Sequence, residues 1–171
     1  MISLNVLFYI FIALFAVIGL IRGFRKEIVV TVSGFLSLFI IEALLPKLFG
    51  NLEGSKAFYI DMLILFACGF FGYQTPNFQR LIARFERESM LELLLGGIIG
   101  AMNGFIFFSS TWYYLAKAGY PFSWITPPDG NTEIGRAAIA LLENAVPNLL
   151  TGTWLYIALA AGVMLLIAVI L

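Results

Sequence analysis

"LNVLFYIFIALFAVIGLIRGFRKE", residues 4–27, decides how the rest of the chain is read. No charged side chain occurs from Met1 to Ile21, and then Arg22, Arg25, Lys26 and Glu27 fall within six positions. About 20 apolar residues in a helix cover the roughly 30 Å of bilayer hydrocarbon. A cleaved export signal carries its cations before the apolar run and small residues after it. Here the order is reversed, the pattern of a retained first span.

Composition extends that reading to the whole chain. Hydrophobic residues make up 61% of the 171 and charged residues only 12%; the mean hydropathy is +0.98. Soluble domains carry about 25% charge, so this chain cannot cover a water-facing surface. The expected fold class is therefore all-α, a polytopic transmembrane helical bundle of about five spans with interfacial amphipathic helices. Ten cations balance ten anions, which leaves no basic field to hold nucleic acid. The sequence has no His, which excludes Ser-His-Asp and Cys-His catalysis and His-ligated metals. Cys68 is the single cysteine and has no intrachain partner. Ser33-Gly34 superficially resembles an intramembrane nucleophile, but it has no His or Lys base to activate it. No catalytic residue, cofactor or metal site is expected, and the chain is not read as an enzyme.

Five apolar runs qualify as spans: Leu4–Ile21, Ile28–Leu45, Ala57–Tyr73, Leu91–Ala116 and Thr153–Leu171. The second is expected to stop at Pro46. Between the third and fourth, Phe78, Leu81, Ile82 and Phe85 recur at helical spacing opposite Arg80, Arg84 and Arg87, a pattern for a helix lying along the headgroups. Arg84 and Glu88 stand at i, i+4 for a weak surface pair. Between the fourth and fifth, Lys117–Gly152 starts with turns at Pro127–Gly130, where Phe122 and Trp124 suit the interface. It continues with Ile134, Ala138, Leu141, Leu142 and Ala145 at helical spacing. Asn131 or Thr132 is the cap of that amphipathic outer helix, with Glu133 in its first turn.

Arginine and lysine concentrate in short cytoplasmic loops of bacterial spans. Arg22, Arg25, Lys26, Arg80, Arg84 and Arg87 fall on one side, against Lys47, Lys56, Lys117 and Arg136 on the other. The expected location is the bacterial cytoplasmic (inner) membrane, multi-pass, N-terminus outside and C-terminus inside. The stretch Arg22, Gly23, Phe24, Arg25, Lys26, Glu27 is read as a cytoplasmic loop.

A topology marker does not require Gly23, Phe24 and Glu27. With Arg22 they resemble the signature of the colicin V production (CvpA-like) family, small bacterial inner-membrane proteins of about four spans. The fourth span resembles that family in its glycine ladder, Gly96, Gly100 and Gly104. Glu92 stands where the family carries Asp, Leu93 where it carries Arg, and Asn103 where a basic residue often precedes the last glycine. Val146-Pro147 matches the family's outer Leu-Pro. The resemblance covers roughly residues 5–150. It implies a four-span membrane domain over 1–152, with an added C-terminal helix over 153–171, and a part in colicin V production, a toxin biosynthetic process, or envelope maintenance.

Gly96, Gly100 and Gly104 share one helix face, and a glycine stripe lets helix backbones approach closely in lipid, where hydrophobic pairing is absent. The sequence leaves open whether the partner is internal or another subunit. Asn103, in mid-span, must find a hydrogen-bond partner, either a neighbouring helix or a substrate. Glu42 and Asp61 are the intramembrane acids, each about four residues, or roughly 6 Å, from the outer helix end. They read as an ion site, or as interfacial acids held by Lys47 and Lys56.

Three functions compete. The first is a non-catalytic membrane scaffold or accessory protein. The second is an accessory subunit of a larger energy-transducing complex, docking through the fifth span and the glycine face. The third is a small transporter or channel lined by Glu42, Asp61 or Asn103, which is disfavoured because no inverted repeat is visible. The partners expected are membrane lipid and other transmembrane helices, as a homo-oligomer or within a complex, and no nucleic acid.

Overall fold

The computed structural model describes residues 4–50, 52–74 and 90–170, and every regular element in them is helical. The interfacial helix expected over residues 77–88 lies outside the described residues. The elements are α1 (Leu4–Arg22), α2 (Phe24–Phe49), α3 (Gly54–Tyr73), α4 (Met90–Lys117), α5 (Glu133–Glu143), α6 (Val146–Leu149) and α7 (Thr153–Ile170). α1, α2, α3 and α4 are long and apolar enough to cross a membrane. α7 is shorter, uncharged, and runs antiparallel along α2: Tyr156 meets Phe39 and Gly162 lies against Val32 and Phe35. The molecule is thus an all-α transmembrane helical bundle of four long apolar helices and this shorter fifth one.

α4 is the central rod, touching α1, α2, α3, α5 and α6. Its seam with α1 has two halves. Toward the start of α4, Gly96, Gly100 and Gly104 lie against Gly23, Gly19, Phe15 and Ile12. A Cβ on Gly19 would fall 2.8 Å from Gly100 Cα, so only glycine permits that approach. The ladder's partner is therefore α1 of the same chain. Toward the other end aromatic rings take over. Phe8 sets its edge against Phe105 and Phe108 and packs on Trp112, and is itself 2% exposed.

Two boundaries differ from those read in the sequence. α2 begins at Phe24, and only Gly23, at φ 80°, separates it from α1. The expected cytoplasmic loop is therefore a one-residue break, and Arg22 and Phe24–Glu27 belong to helices. α2 also continues past Pro46 to Phe49. Pro46 has no N–H to give the carbonyl one turn back, and the helix accommodates it by widening into a π turn over Ile40–Leu44, where Leu45 N–H bonds Ile40 O.

α5, α6 and the turns before them cover the end of the bundle that holds the start of α1. Thr132 caps α5 by accepting from Gly135 N–H at 3.0 Å. Ala138 is buried against the Phe8 and Trp112 cluster, whereas Ile134 is exposed and the helix stops at Glu143, before Ala145. Asn5 Nδ2 donates to Ile134 O, and Val146 N–H donates to Ser109 Oγ on α4 at 3.2 Å. These bonds tie the segment to the spans.

Candidate functional site

Two polar centres interrupt the apolar interior, one at each end of the bundle. The first forms around the α1–α2 break. Glu27, fully buried, accepts from Arg22 Nε across Gly23 at 2.9 Å. Its second carboxylate oxygen accepts from Asn103 Nδ2 at 2.8 Å, and Asn103 also reaches the Glu27 carbonyl at 3.0 Å. Thr31 Oγ1 donates to Asn103 Oδ1 at 2.7 Å. Arg22 also donates to the Tyr73 carbonyl at 3.1 Å, with its guanidinium 4.6 Å from the centre of the Tyr73 ring. Four helices are thereby joined around one carboxylate, three through its own hydrogen bonds and α3 through Arg22. A buried charge is tolerable only when paired and hydrogen-bonded in this way. Arg25 pairs with Glu92 nearby at 3.3 Å.

Asn103 thus finds its partner in a neighbouring helix. Glu27, placed in a loop by the sequence reading, is the most buried acid described. Its position five residues after Arg22, and in register with the first turn of α2, was the available signal. The glycine at Gly96 is part of the same construction, because a Cβ there would lie 2.8 Å from Gly23 Cα and would push the α1–α2 break away from α4.

The second centre is a cavity of about 590 Å³ at the opposite end, between α2, α3 and α4. Apolar walls come from Ile41, Leu45, Phe58 and Ala118, and polar groups from Asp61, Glu53, Tyr114 and Lys117. Tyr114 Oη donates to Glu42 Oε1 at 3.0 Å, and Lys117 Nζ stands 3.9 Å from the same oxygen, over the Tyr113 and Tyr114 rings. Asp61 is 7% exposed. Among the described residues no hydrogen bond or ion pair within bonding distance reaches its carboxylate.

Glu42 and Asp61 are thus gathered at one centre, but not as expected. Each lies seven residues from the nearer helix end, Phe49 or Gly54, or about 10 Å along the axis, deeper than the sequence boundaries implied. Lys47 and Lys56 are exposed, and Lys117 from α4 is the cation that faces these acids. The helices extend beyond the apolar runs because charged and polar turns continue them, and hydropathy alone does not register those turns.

Between the two centres the interior holds Leu38, Leu65, Ile106 and Phe107, all nearly inaccessible, with the buried hydroxyls of Ser37 and Ser110 among them. Phe107 also occupies the space beside Gly69, where a Cβ would lie 2.9 Å from its ring.

Four helices long and apolar enough to cross a bilayer define a multi-pass membrane protein. No family model, no curated protein and no solved structure matches the chain.

Proposed function

We propose that the chain is a non-catalytic membrane scaffold or accessory protein, of the kind that its resemblance to the colicin V production family implies. The observation that carries this reading is the closure of the polar network at the α1–α2 break. Glu27, Asn103, Thr31 and Arg22 spend their side-chain hydrogen bonds on one another and on the Tyr73 carbonyl. A side chain that serves a substrate or a permeating ion keeps an open valence, whereas interhelical glue does not. The packing of Leu65 and Phe107 supports the same choice over a transporter, since their side chains stand between the two polar centres and leave only the isolated hydroxyls of Ser37 and Ser110 in that layer. The glycine face of α4 is occupied by α1, so partner helices are left the outer faces of the bundle, among them those of α1, α3 and α7, where Tyr9, Val17, Phe66, Phe70, Ile157 and Met164 are exposed. The reading includes an orientation with the Arg22–Glu27 end cytoplasmic and the start of α1 outside, in a bacterial inner membrane.

Native mass spectrometry of the protein released from membranes in mild detergent tests the proposal. A second membrane chain, or further copies of this one, is expected at fixed stoichiometry. A lone monomer that moves protons or ions when reconstituted in liposomes would overturn the proposal in favour of the transporter.

A further inference from the structure

We propose that the cavity between α2, α3 and α4 is a binding site for a primary ammonium group, with Asp61 as its counter-ion. The inference is independent of the scaffold reading and would survive its failure.

Three observations carry it. Asp61 is more than nine-tenths buried, lines the cavity, and accepts no hydrogen bond from the described residues. Its carboxylate opens on the cavity, so the donors that a carboxylate so deep in the protein requires come from what the cavity holds. The contrast within the same molecule is direct, since buried Glu27 has both its oxygens satisfied by side chains.

The second observation is the disposition of the local cation. Lys117 is the cation facing Asp61, yet its amino group lies 3.9 Å from Glu42 and over two tyrosine rings. Its side chain is 55% exposed, so water weakens its effect on Asp61. With Glu53 also on the wall, carboxylates outnumber ammonium groups among the described lining residues. The site therefore selects a cation over an anion.

Third, the volume and walls suit an organic cation better than a bare metal ion. About 590 Å³ lies within the range of small-molecule pockets, and Ile41, Leu45 and Phe58 offer apolar contact to a carbon chain. An ammonium group supplies three N–H donors, and one carboxylate with aromatic neighbours is its usual reception. Two sources share that chemistry: a free alkylamine, or the phosphoethanolamine headgroup of a lipid. In the second case the phosphate would approach Lys117.

The test is isothermal calorimetry on the full chain in detergent, with butylamine as the free amine and a short-chain phosphatidylethanolamine as the lipid. Phosphatidylcholine, whose quaternary nitrogen has no N–H, is the control. Saturable binding of butylamine, of phosphatidylethanolamine, or of both is expected, and which of them binds identifies the source. Asp61→Asn keeps the side-chain shape and is expected to weaken binding about tenfold or more. Ala57→Phe fills the cavity from α3, one turn from Asp61 and with the carboxylate retained, and is expected to block binding even if Asp61→Asn fails to fold. The proposal is overturned if neither compound binds the wild type, if phosphatidylcholine binds as well as phosphatidylethanolamine, or if folded Asp61→Asn or Ala57→Phe binds unchanged.

Discussion

Gly100→Ala separates a glycine that the fold requires from one that is merely present. The new Cβ would stand 2.9 Å from Gly19 Cα and 3.1 Å from Gly19 N, and would also meet the Phe15 carbonyl oxygen. All three are backbone atoms of α1 and cannot rotate away, so the two helices must separate. Overpacking of a rigid contact costs about 1–3 kcal/mol, and this geometry belongs at the upper end. Replacing glycine by alanine inside a helix returns about 1 kcal/mol. The net loss is about 2 kcal/mol, or a fall in Tm of roughly 4–8 °C for a chain of this size. Gly97→Ala supplies the comparison. Its Cβ approaches Leu20 Cδ2 to 2.7 Å and Leu20 Cγ to 2.8 Å, but Leu20 is 39% exposed and its side chain can rotate about χ1 outward into lipid. There the helix gain offsets most of the cost, and Tm should change by less than about 2 °C. Thermal melting of both variants in one detergent, with size-exclusion chromatography alongside, is the assay. Equal destabilisation by the two substitutions would refute the reasoning. So would a Gly100→Ala protein that melts normally but loses association, since the ladder would then serve a second subunit.

Removal of the amide in Asn103→Leu should cost about 2–3 kcal/mol by stripping a donor from the Glu27 carboxylate, read as a lower melting temperature. Arg22→Ala should cost about 3 kcal/mol for the same reason, and adding Glu27→Leu to it should recover most of that loss; a double-mutant cycle without coupling would contradict the pair. Thr132→Ala removes the α5 cap and should cost about 1 kcal/mol locally, so that α5 amides exchange about fivefold faster while those of α4 do not change. In a Cys68→Ser background, Lys26→Cys and Ser123→Cys should react with an impermeant maleimide from opposite sides of the membrane; labelling from one side would invert the topology of at least one hairpin.

Hydropathy carried the spans because the bilayer imposes a length and a polarity that any spanning segment must meet. The glycine spacing in α4 was equally legible, since i, i+4, i+8 is a property of the helix itself. The cap at Thr132 could be narrowed to two candidates from local chemistry alone. The ends of the spans were not legible. Helices run on through charged turns wherever those side chains find partners, as Phe24–Glu27 do at the start of α2.

Which groups meet was beyond the sequence altogether. Glu27 and Asn103 are 76 positions apart, and Glu42 and Tyr114 are 72 apart. Nothing in a one-dimensional pattern distinguishes an acid at a membrane rim from one sealed between helices. The chain alone determined that rods would form and which of their faces are smooth enough to touch. Only the packing of α4 between its neighbours decided that the ladder is spent on α1, that Glu27 is closed off, and that Asp61 is left facing a cavity. Side-chain hydrogen bonds reach about 3 Å, so a polar group's condition depends on what the tertiary structure puts within that distance.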